Sequence, residues 1–201
     1  MTSKEIIDLG TPGLVVVPAR DVLTVDGVGA PEEPRFGDAI RALFVTRARL
    51  GGRDDVPLEG SYAQDGDPRR FDLDRPTDWH WRLLVPAPPG VDAAAVAAAG
   101  QRLPAKVHLR RARPQLVAQL AHRGPHVDEA PSIATLDAFV AEQGVDPTGP
   151  HTEVYLDDPR STPPAELRTL LRMPVIRAGQ GALTKTDFRG VRPVRASSST
   201  A

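Results

Sequence analysis

The sequence predicts an α+β protein built from two strand-helix-strand-strand repeats. Three observations carry that prediction. Apolar residues recur at helical spacing in two places, Phe36, Ile40, Leu43 and Phe44, then Ile133, Leu136, Phe139 and Val140. Each helical stretch has strand-like runs before and after it, punctuated by Gly and Pro. An alanine-rich stretch behind Pro86-Ala87-Pro88-Pro89-Gly90 separates the two units. One helix per unit covers one face of a small antiparallel sheet. The uncovered faces of two paired units are then expected to form a concave groove between the repeats.

The elements follow in order. Residues 1–11 read as a flexible leader. Leu14–Val17 is a β-branched run stopped by Pro18, and Val22–Val28 is a second strand. Gly27 and Gly29 near its end indicate a bulge or a close backbone approach. Glu32 and Glu33 favour a helix start, and the Phe36–Phe44 stripe stops at Gly51-Gly52. Its other side carries Arg41, Arg47 and Arg49, expected to be solvated. Pro57–Tyr62 reads as a short strand and 65–77 as a loop. In the strand Asp78–Val85, alternation puts Trp79, Trp81, Leu83 and Val85 on one face. Repeat one thus spans about 12–86. Asp92 suits the N-cap of a linker helix within about 91–103. Repeat two, about 105–176, holds strands Val107–Ala112 and Leu116–His122 and a helix capped by Ser132 and stopped at Gly144. The strand around Glu153, the Asp157–Ala165 loop and a last strand, Leu167–Val175, complete it. Pro174 suits a strand end or an edge, and 177–201 reads as a disordered tail.

Composition limits the function. The 201 residues are enough for one large domain or two small ones, and a chain of this size buries roughly 70% of its unfolded surface. Twenty-five basic residues against 26 acidic ones give a net charge of −1, so no direct nucleic-acid binding is expected. The absence of cysteine excludes disulfides, thiolate metal sites and cysteine nucleophiles. No signal-like segment or apolar run of about 20 residues is present, so a cytoplasmic location away from membranes is expected. No cofactor is expected, and no metal site, since His80, His108 and His126 lack partners at ligand spacing.

Aromatic residues make up only 4% of the chain, so their positions are informative. In the strand His151–Leu156, Glu153 and Tyr155 share one face, while Thr152, Val154 and Leu156 share the other. The second set is apolar enough to lie against a helix. The first set suits a solvated face or, in a cavity, a carboxylate that binds a cation or takes a proton beside a phenol that donates one. Trp79, Trp81 and Tyr62 suit either core packing or the aromatic wall of a ligand site. Glu59 suits a structural strand end or a second groove carboxylate; His122 and His151 suit structural hydrogen bonding, with His122 also a candidate ligand contact. The Arg110-Arg111 pair with Arg113 reads as a solvated strand face, and Asp157-Asp158-Pro159 as a turn.

The order and spacing of several pieces resemble the GyrI-like small-molecule-binding family over roughly residues 12–176. They are Val17-Pro18, Val25–Pro31, Ala39–Phe44, Pro57-Leu58-Glu59-Gly60, Trp79-His80-Trp81, His122–Pro125, Glu153–Pro159 and Thr169–Val175. The Pro-Leu-Glu-Gly and Trp-x-Trp pieces are most similar to the stand-alone branch, which includes hydrolases of cyclopropane-bearing natural products. The resemblance implies a ligand groove between the repeats. It implies Glu153 and Tyr155 as the catalytic pair, with Trp79, Trp81, Tyr62, Glu59 and His122 as ligand contacts. The implied ligand is a hydrophobic aromatic molecule, opened by water where it is strained. The outcome would be detoxification or resistance, with a non-catalytic drug-binding or effector-sensing module as the alternative. Thr152 stands where that branch often has a second histidine, and Ser61-Tyr62 where it often has tryptophan, so the wall of the groove differs.

Overall fold

The computed structural model describes residues 10–64 and 75–177. The leader over residues 1–9, most of the 65–77 loop and the tail beyond 177 lie outside the described residues. Two long bent strands organise the sheet. The first runs as β1 (Gly13–Val17) and β2 (Arg20–Val28), bent at Pro18. The second runs as β5 (His108–Ala112) and β6 (Gln115–Arg123), bent at Pro114. A proline has no N–H to give to the ladder, so each bend is a break in pairing. The two strands are antiparallel in one continuous register: Val17 faces Gln115 and, three residues on, Arg20 faces Ala112. Their far halves then separate. Strand β2 continues along β4 (Trp79–Pro86), and β6 along β9 (Arg168–Arg177).

Two inner strands join the halves. β3 (Leu58–Gln64) lies between β4 and β8 (His151–Tyr155), and β8 lies between β3 and β9. The order β6-β9-β8 therefore mirrors β2-β4-β3, as two like repeats require. A short β7 (Val145–Pro147) pairs with the end of β9. Pro174 falls where β9 passes from β8, paired as far as Arg172, to β7, paired from Val175. The missing N–H thus costs no bond on that side. The crossed strands tie the ends of the sheet together, and it curls into a half-barrel.

Helix α1 (Pro34–Arg49) packs on β2 and β4, and α3 (Ala130–Glu142) on β6, β7 and β9. Under α1, Leu43 and Ala39 meet Leu23, Val25, Trp81, Leu83 and Val85. Under α3, Leu136 and Val140 meet Ala118, Leu120, Leu171 and Val175. Leu43 and Leu136 are fully buried, each contributing roughly 1.5–3 kcal/mol. Gly51 and Gly144 take positive φ behind these helices, as helix-ending glycines do. The linker helix α2 (Ala93–Ala99) starts where expected, with the Asp92 carboxylate accepting the Ala95 N–H at 2.7 Å.

Register settles which face carries the helices. Gly60 pairs with Leu83 on one side and Glu153 on the other, and Glu153 pairs with Leu171. Directly paired residues project to the same side. Leu83 lies under α1 and Leu171 under α3, so Glu153 and Tyr155 stand on the helix-bearing face, between the helices. The expectation that Thr152, Val154 and Leu156 lie against a helix is overturned: the helices stand on the Glu153 and Tyr155 side and flank the groove between the repeats. Thr152 and Val154 point the other way; Val154 joins a small cluster with Ala121 and Leu170, under no helix. Two local expectations also change. Arg47 is buried, its guanidinium donating to the Arg53 and Pro86 carbonyls at 2.9 and 3.0 Å. The cap position of α3 is Glu129, because Pro131 sits in the first turn and sets the start earlier.

Candidate site between the two helices

The central strands β3 and β8 position the site. Tyr62 lies two residues beyond Gly60, and Tyr155 two residues beyond Glu153, on antiparallel strands. Both phenols lean back over the Gly60/Glu153 pair, and their hydroxyl oxygens meet at 2.5 Å. Tyr155 donates to Glu153 Oε2 at 2.7 Å, which leaves Tyr62 as donor to the Tyr155 oxygen. Only glycine fits at residue 60: a Cβ there would stand 2.4 Å from Tyr62 Oη and 2.7 Å from Cζ. Trp79 lies beside Tyr62, ring centres 5.3 Å apart.

His151 reaches Glu153 Oε1 at 3.4 Å. Above Tyr155 stands His126, ring centres 5.2 Å apart and nearly perpendicular. Its Nδ1 hydrogen-bonds Glu129 Oε1 at 3.0 Å. Glu129, at the start of α3, is 1% exposed, and Glu153 is 5% exposed. Ligand atoms of His126, Glu129 and Glu153 all lie within 4.8 Å of one another. The expectation that His126 lacks a partner at ligand spacing is therefore overturned, its partner standing three residues on. These three groups are the ones available to a metal ion. Glu129 is already bonded to His126, and Glu153 to Tyr155 with the His151 ring beside it, so the three are also engaged directly.

The two carboxyls are pushed apart. Burial would lift Glu153, but the hydrogen bond and charge of His151, the Tyr155 hydroxyl and His126 outweigh it and hold Glu153 below the usual carboxylate range. Burial lifts Glu129 above that range; the His126 bond opposes this and the Glu153 charge adds to it. The Glu129 bond raises His126, against partial burial. Burial and the Glu153 charge hold Tyr62 and Tyr155 well above the ordinary phenol value. The cluster therefore offers an ionised base, two neutral phenols and a hydrogen-bonded acid pair.

The other candidates divide. Trp81 packs edge-on against Phe36, lies over Gly27 and donates its indole N–H to the Gly29 carbonyl, so it is the core of repeat one. The close backbone approach read from Gly27 and Gly29 is this ring. Glu59 stands on the opposite face, bound by Arg20 at 2.5 Å with Arg172 at 4.0 Å, away from Glu153. His122 shares the face of Tyr155 two strands away, with Thr169 between. Its Nδ1 bonds Ser132 Oγ at 2.9 Å, and its buried Nε2 has no hydrogen-bond partner among the described residues. Sequence reasoning passed over Glu129 and set His126 aside for want of a partner; a His-x-x-Glu spacing just ahead of Pro131 was the available signal.

Two repeats whose helices flank a buried cluster of carboxylates and phenols define a small-molecule-binding class of protein. The chain belongs to the GyrI-like small molecule binding domain family, whose profile matches residues 11–176. An uncharacterized conserved protein from Listeria innocua is similar in structure, with a TM-score of 0.72 and 27% identity over 84% of this chain and 93% of that one. A hydrolase from Listeria innocua gives a TM-score of 0.70 and 25% identity over the same shares. The EcmrR C-terminal domain, at 12% identity, shares the fold, with a TM-score of 0.64 over 83% of this chain and 98% of that one. No curated protein matches the chain by sequence. No helix among the described residues is long and apolar enough to cross a membrane.

Proposed function

We propose that the chain binds hydrophobic aromatic molecules beside Trp79, Tyr62 and Tyr155, and hydrolyses strained ones by opening a cyclopropane ring with water. The observation that carries this reading is Glu153: a buried carboxylate kept ionised, with a phenol donating to it at 2.7 Å. In a spiro-cyclopropyl dienone the methylene carbon is electrophilic, because the ring's electrons can flow into a phenolate. A water attacks that carbon, Glu153 takes its proton and the strained carbon–carbon bond breaks. Tyr155 holds the water, and Tyr62 fixes Tyr155 from behind. General base assistance of this kind gives about 10²–10⁴-fold in rate. The similar hydrolase from Listeria innocua supports the class of activity. An opened product no longer alkylates, so the reading includes detoxification in the cytoplasm.

Turnover of a spiro-cyclopropyl dienone, followed by mass spectrometry, tests the proposal. A product heavier by one water, lost in Glu153→Gln and reduced in Tyr155→Phe, is expected. Tight binding without turnover in the wild type overturns catalysis and leaves a binding module.

A further inference from the structure

The proposed reaction uses Glu153 and Tyr155 and leaves a second pair idle. That pair is Glu129 with His126, one member 1% exposed and the other at the rim, its side chain 49% exposed. A carboxyl so deeply buried, aimed at a histidine and within 4.8 Å of another carboxylate, is costly to fold unless it is used or neutralised. The hydrogen bond goes to Nδ1, so it fixes the ring and leaves Nε2 as the nitrogen that Glu129 does not engage. The ring stands edge-on over Tyr155, the residue that holds the attacking water.

We propose that His126, oriented by Glu129, is the acid of this site and protonates the dienone oxygen while Glu153 deprotonates the water. The inference rests on the hydrolytic reading above. The step balances: the water oxygen bonds to the methylene carbon and the methylene–spiro bond breaks. That electron pair aromatises the ring, and the oxygen takes the Nε2 proton to leave as a neutral phenol. Glu153 holds the water's proton and His126 has lost one; exchange with solvent at the half-exposed His126 restores both. The substrate class is thereby narrowed to dienones, or enone analogues, whose oxygen reaches the rim above Tyr155. His126 is the catalytic residue and Glu129 a positioning residue.

The groups facing His126 are Glu129 from the start of α3, and Glu153 and Tyr155 from β8. Both carboxyls favour the imidazolium. Both phenols titrate far above it, so they do not shape the profile near neutrality. The test is the pH dependence of kcat and KM on a spiro-cyclopropyl dienone for the wild type, His126→Gln, Glu129→Gln and Glu153→Gln. The wild-type rate should fall as pH rises through the His126 pKa. In His126→Gln that fall should vanish, with kcat down by about 10²-fold or more and KM little changed. In Glu129→Gln it should move to lower pH, because the bond that raises His126 is weakened. Circular dichroism checks that the buried Glu129 variant folds, and the rim residue His126 carries the test if it does not. Turnover lost in Glu153→Gln but intact in His126→Gln, or a His126→Gln defect confined to KM, overturns this assignment and leaves the hydrolytic reading standing. No wild-type turnover overturns both.

Discussion

Gly60→Ala is the sharpest probe of how the site is built. An alanine Cβ would stand 2.4 Å from Tyr62 Oη, 2.7 Å from Cζ and 2.8 Å from Cε2. Those distances are impossible, so something must move. Tyr62 is poorly placed to yield, being 2% exposed, bonded to Tyr155 and packed on Trp79. Overpacking of a well-filled site costs about 1–3 kcal/mol, and losing the Tyr62–Tyr155 bond adds about 1 kcal/mol. The sum, about 2–4 kcal/mol, should lower Tm by roughly 5–15 °C for a chain of this size. Thermal and urea unfolding measure it, and a graded background identifies the cause. Tyr62→Phe removes only Oη and should relieve part of the penalty. Tyr62→Ala removes the ring, and there Gly60→Ala should be neutral or stabilising, since glycine weakens a strand interior. The double-mutant coupling should therefore equal the penalty that disappears, about 2–4 kcal/mol, at the upper end for residues in contact. An unchanged Tm for Gly60→Ala, or strict additivity with Tyr62→Ala, would refute the close approach of this phenol to the β3 backbone.

Three further outcomes follow from the geometry. Glu59→Gln, on the face away from Glu153, should destabilise by about 1–3 kcal/mol, since it leaves Arg20 and Arg172 facing each other with Arg20 partly exposed; aromatic-ligand affinity by calorimetry should not change. Tyr155→Phe removes a hydrogen bond that lowers Glu153, so the Glu153 carboxyl should titrate at higher pH by NMR, and an unmoved titration would sever that link. Arg168 holds the Asp157 carboxyl below its ordinary value, so their pairing stabilises the fold above the unfolded carboxyl pKa and is lost as pH falls through the folded one. Asp157→Asn should therefore cost up to about 1 kcal/mol at neutral pH and nothing in strong acid, as acid unfolding curves would show.

The repeats, the two helices and the shared face of the tryptophans were legible because periodicity reports which residues of one element point together. Periodicity has no sign, however. It groups Glu153 with Tyr155 without saying which side of β8 meets a helix. A polar pair beside an apolar one suggests that the apolar side is covered. Here both helices bear on the outer strands of the polar side and leave β3 and β8 between them, so Glu153 and Tyr155 sit on the helix-bearing face, in the gap between the helices. Arg47 misled for another reason: its aliphatic stem lets a charged head pass the helix end and meet the carbonyl of Arg53 just beyond it and that of Pro86 at the end of β4, contacts that helical periodicity does not report. Ser132 is a favoured cap residue by type, yet Pro131 in the first turn moved the helix start back to Glu129. Missing that shift hid the acid pair.

Symmetry explains why the site sits where it does. The mirrored strand order places an approximate twofold through the β3/β8 ladder, where Gly60 and Glu153 pair. Each repeat sends a tyrosine from two residues beyond that pair back towards it, so the two hydroxyls must meet near the axis. A side chain on both sides of the pair would exclude them. A glycine on both sides would admit them and leave nothing to hold. One glycine with one glutamate resolves the conflict: Gly60 supplies the room, Glu153 the charge, and the tyrosines become a chain of donors ending on that charge. The helices are as like as the strands. Yet the second begins with Glu129 behind His126, while the first begins with Glu33, whose carboxylate closes its own turn on the Ala30 N–H at 3.0 Å. The fold is twofold, but the buried carboxylates Glu129 and Glu153 belong to the second repeat, and Tyr62 and Trp79, across the Gly60/Glu153 pair, to the first.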